Sequence, residues 1–348
     1  MGAFDEPLEL TEAELERFHF RGLHPKVSIG TASDRYAGWL GQIYTPERYQ
    51  GRISSRTNRV GGRPFKEEIL PVESVEEYFE HFRVLEIDYT FYAPLLGPDG
   101  TPTQTFHVLK AYRHHLSEAD QIILKAPQLI SAQKLLRSGR SVPNDNYLNP
   151  DLFVRAFMEP AVQLLGPTLR AMVLEQEYQR KDERTPPEEL AGSLDAFFGA
   201  VPRDNRYHIE LRTEAYLSKP VFEVMERHGV GQVLSHWTWL PPLRRQLTAA
   251  GRRFFNSGRH CIIRLMTPRG VRYEDAYSRA HPFNAMVEGL FQPHMVEETV
   301  DVAEEALSQD IHVNLIINNR SGGNAPHIAR LIAARFQELQ NARSAAGS

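Results

Sequence analysis

The sequence predicts an α/β fold, a closed parallel (β/α)8 barrel of the TIM type with long loops at its C-terminal face. Three observations lead there: eight short apolar runs with strand-like composition, amphipathic helical stretches between them, and no composition break that divides the chain. The runs span residues 27–31, 84–89, 121–126, 170–175, 207–212, 232–236, 260–266 and 312–318. Eight alternations favour closure over an open sheet, and 348 residues fit one barrel with extended loops. Residues 1–26 read as an N-terminal extension with a short helix, 27–340 as the barrel and 341–348 as a disordered tail.

The elements between the runs carry their own signals. Thr11 with Glu14 forms a capping box for the N-terminal helix, and Ser74 with Glu77 and Thr185 with Glu188 repeat that pattern. Asn149 before Pro150 supplies a cap and first turn, while Gly166, Gly199 and Gly229 read as helix stops. In the last helix Ile328, Leu331, Ile332, Phe336 and Leu339 share one face, as a helix packed on a sheet requires. Long connections follow the first, second, third, sixth and seventh strands and rise at the C-terminal face, where barrel enzymes build their sites.

Composition narrows the class. With 41% hydrophobic and 24% charged residues, and no apolar run near membrane-spanning length, the expectation is a cytoplasmic protein without membrane contact. The acidic start MGAFDEPLELTEAELERF lacks the basic and apolar regions of a signal peptide. Cys261 is the single cysteine and lies in an apolar strand, so a buried inert thiol is expected rather than a nucleophile. The net charge of −4 hides segregation: Arg48, Arg52, Arg56, Arg59, Arg63 and Lys66 have no acid among them, nor do Arg244, Arg245, Arg252, Arg253 and Arg259. Both segments follow predicted strands, which places them on one electropositive face as anion-binding loops around Arg56, Arg59, Arg252 and Arg253.

Strand alternation orients the charges. Leu85 and Ile87 must meet helices, so Glu86 and Asp88 face the lumen; by the same parity so do Glu210, Arg212, Lys125, Glu175, Arg264 and Asn318. An inert barrel fills its lumen with branched apolar side chains, so this charge points to a ligand, although a buried ion network is the alternative. Glu210 beside Arg212 is the sharpest pair: a glutamate that moves a proton and an arginine that holds an anion. The segment IHVNLIINNRSGGNAP adds Asn318 and Asn319 as amide donors and acceptors, Gly322 and Gly323 for close backbone approach, and free N–H groups at Asn324 for an anion. Trp39, Tyr89, Phe91, Tyr92, Trp237 and Trp239 gather at strand ends, where they stack on a ligand or plug the barrel mouth. No GxSxG elbow, Walker loop, HExxH or dinucleotide fingerprint occurs in context, and few histidines, His208, His236 and His312 among them, lie in or beside strands. Neither a metal nor another cofactor is expected.

VSIGTAS followed by Gly38-Trp39, then VLEIDYTFY, IILKAP, IELRTEAY, IIRLM and IINNRSGGNAP, in that order, resemble the YecE-like family, a domain of unknown function. The resemblance covers about residues 27–337 and implies a TIM-type barrel, while the family's activity is not established. It places Trp39 and Tyr92 in recurrent motifs, which favours them among the aromatics. The chain departs from the family pattern where Asp34 to Ala37 precede Gly38, where Glu175 replaces a glutamine, where Met266 replaces a histidine, and where strand 6 ends in His236 and Trp237. It therefore reads as a divergent branch.

Two function classes stay open. One is a metal-independent enzyme, a hydrolase or lyase, acting on an anionic phosphate- or sugar-containing substrate. Glu210 or Glu86 would be the acid/base, Arg212, Arg264 and Lys125 would bind charge, and Asn318 and Asn319 would orient the substrate. The other is a barrel without chemistry that binds single-stranded nucleic acid through its arginine loops and aromatics. A glycosidase-like variant would use two of Glu86, Glu175 and Glu210.

Overall fold

In the computed structural model, which describes residues 10–137 and 140–347, eight strands close into a barrel with helices between them. They are β1 (Val27–Ala32), β2 (Val84–Ile87), β3 (Gln121–Lys125), β4 (Leu169–Gln176), β5 (Tyr207–Leu211), β6 (Gly231–His236), β7 (His260–Leu265) and β8 (His312–Ile317). Every one lies within two residues of its predicted place. They neighbour one another in sequence order around the barrel, and β1 pairs in parallel with β8 from Val27 opposite Val313 to Thr31 opposite Ile317. That arrangement bears out the (β/α)8 expectation. No helix among the described residues is long and apolar enough to cross a membrane.

The chain divides into two compact units, one of residues 1–85 and 263–348 and one of residues 86–262. In the first, Thr11 and Glu14 form the predicted capping box on helix Glu12–Glu16. The loop after β1 is not irregular: Ser54–Val60 pairs antiparallel with Arg63–Ile69 in a hairpin. Val60 and Phe65 pack with Tyr277, Ala280 and Phe283, which ties the hairpin to helix Tyr273–Ala280. The tail expected from residue 341 is instead the end of helix Ala325–Gly347. Gln340 and Arg343 both reach Glu304 on helix His294–Ser308, and these contacts hold the last turns against a neighbour.

In the second unit a further hairpin, Lys134–Arg137 with Arg140–Pro143, follows β3. Asn149 caps the helix that opens at Pro150, Gly166 ends helix Glu159–Leu165, and Gly229 ends helix Lys219–His228 in the left-handed conformation at φ 65°. Three expected signals act otherwise. Glu77 bonds Thr45 rather than the Ser74 backbone, Thr185 bonds Gln133, and Gly199 lies inside helix Pro187–Ala200. In each case a tertiary partner or helix packing outweighs the local pattern.

Candidate active site

At the C-terminal ends of β3 to β6, Lys125, Glu175, Arg212 and Glu210, four of the charged residues predicted to share the lumen, form one continuous chain of contacts. Lys125 Nζ lies 2.5 Å from Glu175 Oε2, and Glu175 Oε1 lies 2.7 Å from Arg212 Nη1. The same guanidinium reaches Glu210 Oε2 through Nη2 at 3.3 Å, and Ser235 Oγ donates to Glu210 Oε1 at 2.5 Å. Glu175 and Glu210 stand directly opposite in register on β4 and β5, so parity and pairing together put both carboxylates on one face. Asp88 lies 3.8 Å from Lys125 at the same end. Glu210 is fully buried and Glu175 nearly so, whereas Arg212 keeps 17% of its side chain exposed and is the most accessible of these three.

Aromatic rings cover both cations. Lys125 Nζ lies 4.3 Å from the Phe91 ring centre and the Arg212 guanidinium 5.1 Å from that of Trp237. Tyr92, next to Phe91, is exposed, as a ligand-contacting aromatic must be. Glu86 is buried without exposure in the same unit, and Arg264 is equally buried in the other.

The asparagine and glycine segment after β8 turns out to hold the fold. Asn319 Oδ1 accepts from Trp39 Nε1 at 3.2 Å and from Ala325 N at 2.8 Å. Trp39 is fully buried between Tyr36 and Tyr44 and so is no stacking platform. Asn324 Oδ1 caps the last helix at His327 N, while its Nδ2 donates to Gln42 Oε1 and Phe283 O. The N–H groups expected to meet an anion are thus occupied by side chains of the chain itself. Gly322 and Gly323 serve packing: a Cβ at Gly323 would lie 2.4 Å from Ala285 O, and one at Gly322 would meet Phe291 and Ile328. Asn318 Oδ1 accepts from Arg320 N, and the Nδ2 groups of Asn318 and Asn319 are buried donors with no hydrogen-bond partner among the described residues.

Both basic segments depart from expectation. In the first, Arg56 lies opposite Glu67 in the hairpin and pairs with it at 2.8 Å, while Arg48 and Arg52 reach Glu76 and Glu73. The acids that neutralise them begin just beyond the acid-free stretch, which hid them from a local count; Arg59 stays exposed on the same hairpin. In the second, Arg252 and Arg253 follow helix Leu243–Ala249 and lead into β7, so they lie at the N-terminal ends of the strands, not at the C-terminal face. Asn256 bonds Asn205 O and Tyr207 O at the start of β5, and Arg253 Nη1 is held by both oxygens of Glu226 at 2.7 and 2.8 Å. Arg252 and Arg253 therefore do not form an anion-binding loop at the C-terminal face.

The sequence reading passed over Tyr178 and Ser235. Tyr178 stands two residues past β4 and packs against Trp237 and Trp239, and the parity of β6 could have flagged Ser235 beside Glu210. Cys261 is buried, and burial pushes its thiol up to about 12, as expected for an inert group. No cluster of three or more His, Cys, Asp or Glu side chains able to hold a metal occurs among the described residues.

The model of a family described as "Protein of unknown function DUF72" matches residues 28–347, which is the family the YecE-like resemblance named. Among curated proteins none matches the chain. A DUF72 family protein of Thermotoga maritima is similar in structure with TM-score 0.54 and 14% identity, over 90% of this chain and 99% of the other. One from Enterococcus faecalis gives TM-score 0.54 and 15% identity, over 89% of this chain and 95% of the other. At such identity the likeness speaks for the fold.

Proposed function

We propose that this chain, which belongs to the DUF72 family, is a metal-independent enzyme that acts on a sugar-containing substrate over the C-terminal ends of β2 to β6. The observation that carries the reading is one arginine, Arg212, touching two in-register carboxylates, Glu175 and Glu210, beneath an aromatic ring. Keeping several ions out of water costs more than stability alone repays, so a working role explains the cluster better than a structural one. Asp88, Glu175 and Glu210 contact Lys125 and Arg212, and carboxylates so placed can accept from the hydroxyls of a polyhydroxy ligand. The nucleic-acid alternative is the weaker reading, because Arg48, Arg52 and Arg56 pair with acids and Arg253, held by Glu226, lies at the N-terminal ends of the strands.

In this reading Arg212 is drawn aside by substrate hydroxyls, which uncovers both carboxylates. With Arg212 displaced, Glu210 takes up a proton from solvent and gives it to the leaving oxygen while Glu175 attacks the anomeric carbon; Glu210, now a carboxylate hydrogen-bonded to Ser235, then takes a proton from the water that releases the sugar from Glu175. Neighbouring strands lie about 4.8 Å apart, so opposed carboxylates on them have the short spacing of enzymes that retain configuration. The test is a panel of 4-nitrophenyl glycosides followed by proton NMR of the first-formed product. Cleavage with the anomeric configuration retained is expected. Inversion, or no cleavage of any member, contradicts the reading.

A further inference from the structure

We infer that Tyr178 and Trp239 form a second subsite, a stacking platform for a neutral sugar ring, so that the substrate is an oligosaccharide and not a single sugar; the inference rests on the function proposed above. The two rings stack on one another with centres 5.7 Å apart and planes 27° apart, and they are 43% and 50% exposed. Trp237 joins them, 6.2 Å from Tyr178, and its ring also covers Arg212. The aromatic surface therefore runs without a break from the carboxylate-bound arginine out to solvent. A flat ring face attracts the weakly positive C–H face of a pyranose, whose hydroxyl edge stays free for polar groups.

The backbone that carries the platform is anchored on both sides, unlike that of an ordinary surface loop. Before Tyr178, Glu177 accepts from the Gln133 and Lys134 N–H groups at 2.9 to 3.1 Å. After it, Gln179 N donates to Thr213 Oγ1, its Nε2 to Gln133 Oε1, and its Oε1 accepts from Tyr216 Oη and Thr185 N. On the other strand end buried Gln246 bonds Ser235 N, Ser235 O and Pro241 O, which clamps the turn that bears Trp237 and Trp239. Two exposed rings are thus held in place before any ligand arrives, which removes the ordering cost of binding. Stacking also serves nucleobases, but a base brings a phosphate, and the carboxylates Glu175 and Glu210 adjoin the platform through Arg212.

The test uses intrinsic fluorescence and isothermal titration with cellohexaose, xylohexaose, mannohexaose and maltohexaose, and with the oligonucleotide dT8 as a rival. Two of the three tryptophans lie on the platform and the third, Trp39, is buried, so emission reports this site. At least one hexasaccharide is expected to bind and shift the emission, with affinity weakened roughly ten-fold in Trp239→Ala and in Tyr178→Ala, the loss of one stacked ring. Trp239→Phe should recover part of it. Binding without cleavage leaves the platform standing and removes the proposed enzyme. No binding by any hexasaccharide, tighter binding of dT8, or unchanged affinity in both alanine variants overturns the platform.

Discussion

His208 shows how one buried side chain makes the whole barrel sensitive to acid. It is the second residue of β5, beside Gly231, the residue opposite it in register, and a Cβ on Gly231 would fall 2.2 Å from the imidazole, so only glycine fits there. The ring's nitrogens face Arg206 O and His260 O, and burial pulls its pKa from the usual 6.5 down to about 4. Between those values the unfolded chain binds the proton and the folded chain does not. Stability is therefore held above pH 6.5, falls as pH drops through the window, and by about pH 4 this group has removed about 3 kcal/mol. Urea unfolding from pH 7 to pH 4.5 should show a steeper loss in the parent than in His208→Gln. Equal slopes would contradict the assignment. The sequence marked His208 only as lying in a strand, because desolvation depends on neighbours that parity cannot name.

At the scale of the element, the turn after β8 is a lesson in two roles for one motif. Asn-Asn-Arg-Ser-Gly-Gly-Asn-Ala-Pro was legible as a strand passing into a helix, and Asn324 does cap that helix. Its other expected role rested on free N–H groups, and those are taken: Asn319 holds both Trp39 and the first helical N–H. Asn319→Ala should therefore cost about 2–4 kcal/mol, since it strands two buried donors, and unfolding in urea measures it. A loss below 1 kcal/mol would show those bonds to be dispensable. The first basic segment teaches a related point, because Arg56 is neutralised by Glu67 across a hairpin whose Gly61-Gly62 turn was a local signal the sequence reading did not use.

For the molecule as a whole, the period-2 and period-3.6 patterns located all eight barrel strands, since burial on both faces and helix amphipathicity act within short windows. Parity then predicted that Lys125, Glu175 and Glu210 share a face, and their ion pairs agree. Which charges touch, which loops are anchored, and which end of the barrel a basic segment occupies depend on contacts distant in sequence, so Tyr178, Ser235 and the place of Arg253 escaped. The central claim is that the carboxylates around Arg212 serve chemistry and not only cohesion, and Glu210→Gln separates the two. With a cleaved glycoside in hand, the account predicts a rate loss of about 10²–10⁴-fold with a melting temperature only a few degrees lower. Retained turnover with a large loss of thermal stability would contradict it and leave the cluster a structural network.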